Sequence, residues 1–281
     1  MYQLIVGLEG GLGNRMRTAA ATAAIAPHLR GNVAALWTSQ WGMECRFSDL
    51  FEPYKREGFV LRDATYTERI IAARPRPRNL FLPRLTNRLF FRHVLYNEQV
   101  LPLFRENFDF TSWANAHRSL LWTWWDFYPW TDIDLNTLFC PLPALQQRIN
   151  ERCAAFTPHT IGVHIRRTDN QQSINESPIE LFFQTIDQMI ERYADTRVYV
   201  ATDDEPTKAA MRQRYGAQRI ITAAAAARRD SVSGLQDAVV EMWSLAATSH
   251  IYGSAGSSFS EIAARLGHTP FTILSNKIKK T

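Results

Sequence analysis

The segment His164-Ile165-Arg166-Arg167-Thr168-Asp169 gathers an imidazole, two guanidinium groups and a carboxylate at the end of a β-branched apolar run, Thr160 to Ile165. In an extended strand His164 and Arg166 share one face and Arg167 takes the other. An arginine at a buried strand end needs a counter-charge, and a diphosphate supplies one in bidentate form. A salt bridge to Asp169 or to the Asp203–Asp204 pair meets the same need, and the residue types leave both readings open. Two further segments suit an anion. Gly10-Gly11-Leu12-Gly13-Asn14-Arg15 lets the backbone approach a pyrophosphate at a helix start, where free N–H groups and the dipole favour negative charge. A tight turn without a ligand fits these glycines equally well. Ser254-Ala255-Gly256-Ser257-Ser258-Phe259-Ser260 offers hydroxyls and the first N–H groups of another helix, although plain capping needs only one of those serines.

The elements that must position these segments are read from periodicity. The apolar run Leu4 to Leu8, the glycine turn, an alanine-rich helical stretch from Arg15 to Leu29 and the run Val33 to Thr38 open a doubly wound fold. From Thr160 onward, strands (Thr160 to Ile165, Val198 to Thr202, Arg219 to Thr222, His250 to Gly253, Phe271 to Leu274) alternate with helices. Those helices span Pro178 to Tyr193, Pro206 to Tyr215, Asp237 to Thr248 and Ser257 to Leu266. This alternation implies a parallel sheet covered on both faces. The expected fold is α/β, with two such domains, residues 1–142 and 143–281, facing across a cleft. Ligands in such sheets lie beyond the carboxyl ends of the strands, where all three segments stand.

Between the legible regions, Arg74, Arg76, Arg78, Arg84, Arg88 and Arg92 alternate with Pro75, Pro77 and Pro83, so residues 74–92 cannot form one continuous helix. A tryptophan-rich stretch follows, with Trp122, Trp124, Trp125 and Trp130. Core packing is the common fate of such aromatics, and stacking on an acceptor sugar or a lipid interface is the alternative. The alanine tract Ala223 to Ala227 is of low complexity. At 46% hydrophobic and 21% charged residues the chain is globular rather than disordered. A net charge of +5 suits an anionic substrate without requiring nucleic acid. Cys45, Cys140 and Cys153 form no C-x-x-C pair, which points to a reduced compartment. No basic, apolar leader opens the sequence and no long apolar window crosses a membrane, so a cytoplasmic location is expected.

In order and type, Gly-Gly-Leu-Gly-Asn at the start, His-x-Arg-Arg-x-Asp at 164–169, Ala201-Thr202-Asp203-Asp204, and Glu241 followed by Ser257-Ser258-Phe259-Ser260 resemble the α1,2-, α1,6- and protein-O-fucosyltransferase superfamily. Ile161 to Asp169 and Val198 to Asp204 look most like the α1,6 branch, and Ser-Ser-Phe-Ser like the α1,2 branch. The nodulation-type bacterial fucosyltransferases are similar in plan. The resemblance implies a GT-B-like pair of Rossmann-type domains with GDP held mainly by the second, and inverting transfer of fucose from GDP-fucose to a glycan hydroxyl, with no metal cofactor. Arg166 would grip the diphosphate and balance the charge on the leaving GDP, and His164 and Glu241 would read guanine or ribose. Ser257 and Ser258 would cap the β-phosphate, and Gly11, Gly13 and Asn14 would close from the first domain. Asp203 would support the site and Arg167 would prop it. The family usually keeps an aspartate where Glu241 aligns, with Asp237 as its rival, and the α1,6 branch has a lysine where Asn170 stands.

Glu176, read as lying in the loop after the Arg-Arg-x-Asp strand, is the candidate general base, with Asp169 second. A capping or solvated residue before Pro178 is its plain alternative. Asp132-Ile133-Asp134 matches the D-x-D pattern of metal-dependent transferases, but cationic side chains already supply the counter-charge. No His/Cys/Asp cluster has zinc spacing. The arginine-rich stretch suits an anionic, lipid-linked or phosphorylated acceptor, or peripheral contact with a membrane, or simply a solvated surface. A transferase of another nucleotide sugar and a catalytically silent nucleotide-binding scaffold are the competing functions. A nicotinamide dehydrogenase is disfavoured by Met16, which stands where its third glycine belongs.

Overall fold

The computed structural model describes residues 2–39, 43–223 and 231–277, so most of the alanine tract lies outside the described residues. The chain divides into two compact units, Met1–Cys140 and Pro141–Thr281.

The first unit is built on a six-stranded sheet of order β3-β4-β2-β1-β6-β5. Its strands are β1 (Leu4–Leu8), β2 (Val33–Trp37), β3 (Tyr54–Arg56), β4 (Phe59–Asp63), β5 (His93–Tyr96) and β6 (Ser119–Thr123). All pairings are parallel except the antiparallel edge pair β3–β4. Every residue of β1, β2 and β6 is buried, as a strand covered on both faces requires. The helix Leu12–Ile25 packs Met16, Ala19, Ala20 and Ala23 inward. It starts three residues earlier than periodicity suggests and gives way at Pro27 to a short 3₁₀ turn, Ala26–His28. The arginine- and proline-rich region breaks as expected: a turn at 74–79 precedes the helix Phe81–Phe90, which tolerates Pro83 because it lies in the first turn. Of the tryptophan-rich stretch, Trp122 and Trp130 are core residues.

The second unit carries β7 (Thr160–Ile165), β8 (Arg197–Thr202), β9 (Ile220–Thr222), β10 (Ile251–Ser254) and β11 (Phe271–Leu274). They form an all-parallel sheet of order β11-β10-β7-β8-β9. Ile161, Val163 and Ile165 of β7 and Val198 and Val200 of β8 form a core with Phe182 and Ile186, which lie one turn apart on the helix Ile179–Arg192. The helix expected from Asp237 begins at Val232, because Ser231 Oγ accepts the Gly234 N–H at 3.1 Å and caps it early.

In each unit the first strand, β1 or β7, is interior and is flanked by the next central strand on one side and by a much later strand on the other. A topological switch point therefore falls between β1 and β6, and another between β7 and β10. The first switch depends on a glycine. Gly7 pairs in register with Trp122, and a Cβ there would come within 2.4 Å of the indole. The ring is pinned by its Nε1–H, which donates to the Ala72 carbonyl at 2.9 Å. Gly7→Ala should cost about 1–3 kcal/mol of stability through overpacking. Urea unfolding measures this, and an unchanged midpoint would mean that the indole is free to move.

Candidate functional site

The second unit's switch point brings together two segments that lie ninety residues apart in sequence. The Arg166 N–H donates to Ser254 Oγ at 3.2 Å, and that hydroxyl donates to the His164 carbonyl at 3.3 Å. Ser257 Oγ lies 3.5 Å from His164 Nδ1, and the imidazole stacks on Phe259 with centroids 4.9 Å apart. The turn between β10 and the helix Ser258–Gly267 passes through Gly256 at φ +69°, where a Cβ would also meet Gln172 at 2.6 Å. Ser257 occupies the capping position of that helix, but its hydroxyl makes no capping bond. Ser258 is the first helical residue and is part-exposed.

A short helix, Gln171–Glu176, ties this turn to the end of β7. Asn170 Nδ2 donates to the Gly256 carbonyl at 3.0 Å, Ser173 Oγ to the Ala255 carbonyl at 2.6 Å, and the Ala255 N–H to Ser177 Oγ at 2.8 Å. Glu176 closes this helix rather than lying in a loop. Its carboxylate accepts from Lys277 Nζ at 2.7 Å, which holds it below the usual carboxylate range.

Arg166 carries the charge of the site, and its side chain is only 15% exposed. Its Nε and Nη2 both reach Asp169 Oδ1, at 2.8 and 2.5 Å, and its Nε lies 3.2 Å from Asp203 Oδ2. The carboxylate pairing that the sequence left open is thus present. The two acids differ in their hold. Asp203, at the end of β8, also accepts the Arg167 N–H at 2.8 Å and the Thr168 hydroxyl at 2.7 Å. Burial raises its pKa, but these donors and the Arg166 charge outweigh it and bring the carboxyl below its ordinary value. Asp169 is 54% exposed. Arg167 turns away, its Nη1 reaching the Ile174 carbonyl at 3.4 Å, which is a propping contact.

Two buried ionisable groups lie in the same unit. Burial and the nearby Arg166 charge drive the His164 pKa down to about 3, so the ring is neutral at physiological pH. Glu241 is 5% exposed and one of its oxygens, Oε1, has no hydrogen-bond partner among the described residues. Burial pushes its carboxyl up to about 7, against the pull of Lys208 and Arg152. Asp237 is engaged elsewhere, by Arg148. Sequence reasoning missed Lys208, which is wholly buried with its Nζ on Glu205 at 2.8 Å and near the Ala223 carbonyl. Nothing in the sequence separates it from a surface lysine. Thr168, Ser173 and Ser177 were also passed over, although small hydroxyl residues clustered after a strand could have marked them.

In the first unit, Gly11 and Gly13 begin the helix after β1, and Gly10 turns the chain at φ +77° with Asn14 packed beside it. The sequence gives no sign of how deeply Arg15 and the Glu9–Arg74 pair are buried here. Glu9 is buried against Arg74 at 2.9 Å, and Arg74 also holds Glu98 at 2.9 Å. Arg15 is fully buried, donates to the Gly10 and Thr38 carbonyls, and lies over the Trp37 ring at 4.9 Å. A cavity of about 510 Å³ opens near the ends of β2 and β6, lined by Arg69, Arg74, Arg76, Arg78 and Trp122 among others. Asp134 of the D-x-D pair caps the helix Leu135–Leu138. No group of three or more His, Cys, Asp or Glu suited to a metal occurs among the described residues. Among them, too, no helix is long and apolar enough to cross a membrane.

The raised Glu241 carboxyl has a signed consequence. Above about pH 4.5 the unfolded chain ionises this group freely, whereas the folded chain resists until about pH 7, so its contribution to stability falls across that window. Glu241→Gln should therefore gain on the parent as pH rises from 5 to 8, by on the order of 2–3 kcal/mol, and level off above. Paired melting curves at several pH values test this. A difference that is flat with pH would place the carboxyl in an ordinary environment.

No family model matches this sequence, and no curated protein matches it. Solved structures do. A NodZ alpha-1,6-fucosyltransferase, in crystals soaked with GDP-fucose, superimposes with a TM-score of 0.62 at 16% identity, over 95% of this chain and 93% of that one. An Arabidopsis thaliana FUT1 mutant in complex with GDP gives 0.59 at 16% identity, over 99% of this chain and 71% of that one. The apo form of POFUT1 gives 0.59 at 11% identity, over 96% and 97%. At such identities the shared property is the architecture: this chain has a GT-B-like α/β fold like that of these solved fucosyltransferases.

Proposed function

We propose that this chain is an inverting, metal-independent glycosyltransferase that moves fucose from GDP-fucose to a hydroxyl of a glycan acceptor. One observation carries the reading: at the β7–β10 switch point a half-buried guanidinium stands beside a serine turn, held partly by an exposed and exchangeable carboxylate. The binding of GDP or GDP-fucose by fold neighbours supports the choice of nucleotide.

An ion pair with one exposed partner contributes about 1 kcal/mol or less. A diphosphate offers Arg166 several oxygens in fork geometry and a larger charge, and it displaces Asp169. Asp203 stays, fixing the Arg166–Thr168 backbone through its donors. Ser257 and Ser258 supply hydroxyl and N–H donors to the β-phosphate at the helix start. The neutral His164 and the unpaired Glu241 oxygen serve guanine or ribose. When the glycosidic bond to GDP breaks, charge gathers on the leaving diphosphate, and Arg166 meets it without reorganising. Glu176 is the carboxylate offered for the acceptor proton. Lys277 keeps it ionised, as a base must be, while weakening its pull. In the first unit, Gly11, Gly13 and Asn14 present a second anion-binding helix start. The arginine-lined cavity there suits an acidic or phosphorylated acceptor glycan.

Arg166→Lys keeps the charge and loses the fork, so turnover of GDP-fucose should fall about a hundredfold or more. Asp169→Asn removes the competitor, so calorimetry should find GDP bound at least as tightly as by the parent. Normal turnover in the first variant, or GDP binding abolished in the second, would remove Arg166 from its role. Activity should also survive EDTA, because the counter-charge is supplied by side chains. Loss restored by Mn²⁺ or Mg²⁺ would overturn the metal-independent reading.

A further inference from the structure

Residues 69–97 contain seven arginines and no aspartate or glutamate. Within them the helix Phe81–Phe90 turns its polar side inward. Asn87 Nδ2 donates to the Ala73 carbonyl at 3.0 Å and to Tyr96 Oη at 2.9 Å, and Thr86 Oγ1 donates to the Ile70 carbonyl at 3.2 Å. Pro83 and Asn87, one turn apart, are its buried residues. The apolar side faces solvent: Phe81 is 78% exposed, Leu82 60%, Leu85 47% and Leu89 71%. Leu82, Leu85 and Leu89 have the spacing of one helical stripe. Tyr66 and Ile70, at 82% and 45%, are exposed on the neighbouring helix Tyr66–Ile71. Arg84 and Arg88, one turn apart beside the stripe, have no carboxylate partner among the described residues.

A helix that serves only the core of its own unit buries its leucines, and this one does the reverse. An apolar stripe flanked by unpaired arginines, in a stretch without acids, needs hydrocarbon and anions side by side. A second copy of the same face, paired about a two-fold axis, would set arginine against arginine. An anionic bilayer surface supplies both requirements, acyl chains beneath and phosphates above. We propose that the Phe81–Phe90 helix, with Tyr66 and Ile70, is a docking face for bilayers that contain anionic phospholipid. The helix lies in the plane of the interface. This inference is independent of the nucleotide site and stands or falls apart from it.

Co-sedimentation with vesicles of phosphatidylcholine, with and without phosphatidylglycerol, tests the proposal. The full chain should pellet with the anionic vesicles, remain in solution with the neutral ones, and be released by high salt. Combining Leu82→Ser, Leu85→Ser and Leu89→Ser should lower the partition coefficient by about a hundredfold or more. Combining Arg84→Gln and Arg88→Gln should lower it about tenfold at low salt. These side chains are exposed, so both variants should keep the parent's melting temperature and its affinity for GDP. The proposal fails if the parent ignores anionic vesicles or binds neutral ones equally well. It also fails if sedimentation shows a parent dimer that the leucine variant dissolves, because a second copy would then own the surface.

Discussion

The accounting of charge around Arg166 governs the second unit's open end. A guanidinium only 15% exposed cannot be left without anions, and the fold provides two of unequal permanence. Asp203 is bound into the backbone by the Arg167 amide and the Thr168 hydroxyl, so it sets where the chain goes after β7. Asp169 touches the same guanidinium from a solvated position. One acid therefore shapes the loop, and the other meets the same cation from the solvent side.

The first unit repeats the plan with different chemistry. Its switch point also joins the first strand to a late one, and it too is charged, but its charges are consumed internally. Glu9 and Arg74 form a buried ion pair that Arg74 extends to the exposed Glu98, and Arg15 is stacked on Trp37 and held by carbonyls. Burial still raises the Glu9 carboxyl despite Arg74. Such groups stabilise little once desolvation is counted, yet removing one partner strands the other. They fix the geometry of the glycine turn rather than leaving a cation for a ligand.

Legibility in the sequence followed burial. β1, β2 and the strands of the second unit are short apolar runs between turn signals, and their positions were readable to within a residue or two. β6 is the exception: buried throughout, it runs on into the tryptophan-rich stretch and was not readable as a strand. Nor were β3, β4 and β5. They are edge or near-edge strands with mixed patterns such as Tyr-Lys-Arg, where exposed positions carry no periodic constraint. The helix Phe81–Phe90 was obscured for a related reason, since its apolar residues point away from its own unit. At the site, His164, Arg166, Asp203 and Ser257 were visible because each ends a readable strand or starts a readable helix. Lys208 and the Glu9–Arg74 pair were invisible, because only tertiary packing distinguishes a buried charge from a solvated one.

The three hydrogen bonds that stitch residues 170–177 to Ala255 and Gly256 imply an evolutionary constraint. Ser173 and Ser177 grip one residue, Ala255, by its carbonyl and its N–H, and Gln172 occupies the space that any side chain at position 256 would need. A change in either segment therefore has to be answered in the other across the intervening residues 178–254. Lineages descended from this chain should inherit the two stretches as one covarying block, while the sequence between them drifts at its own pace.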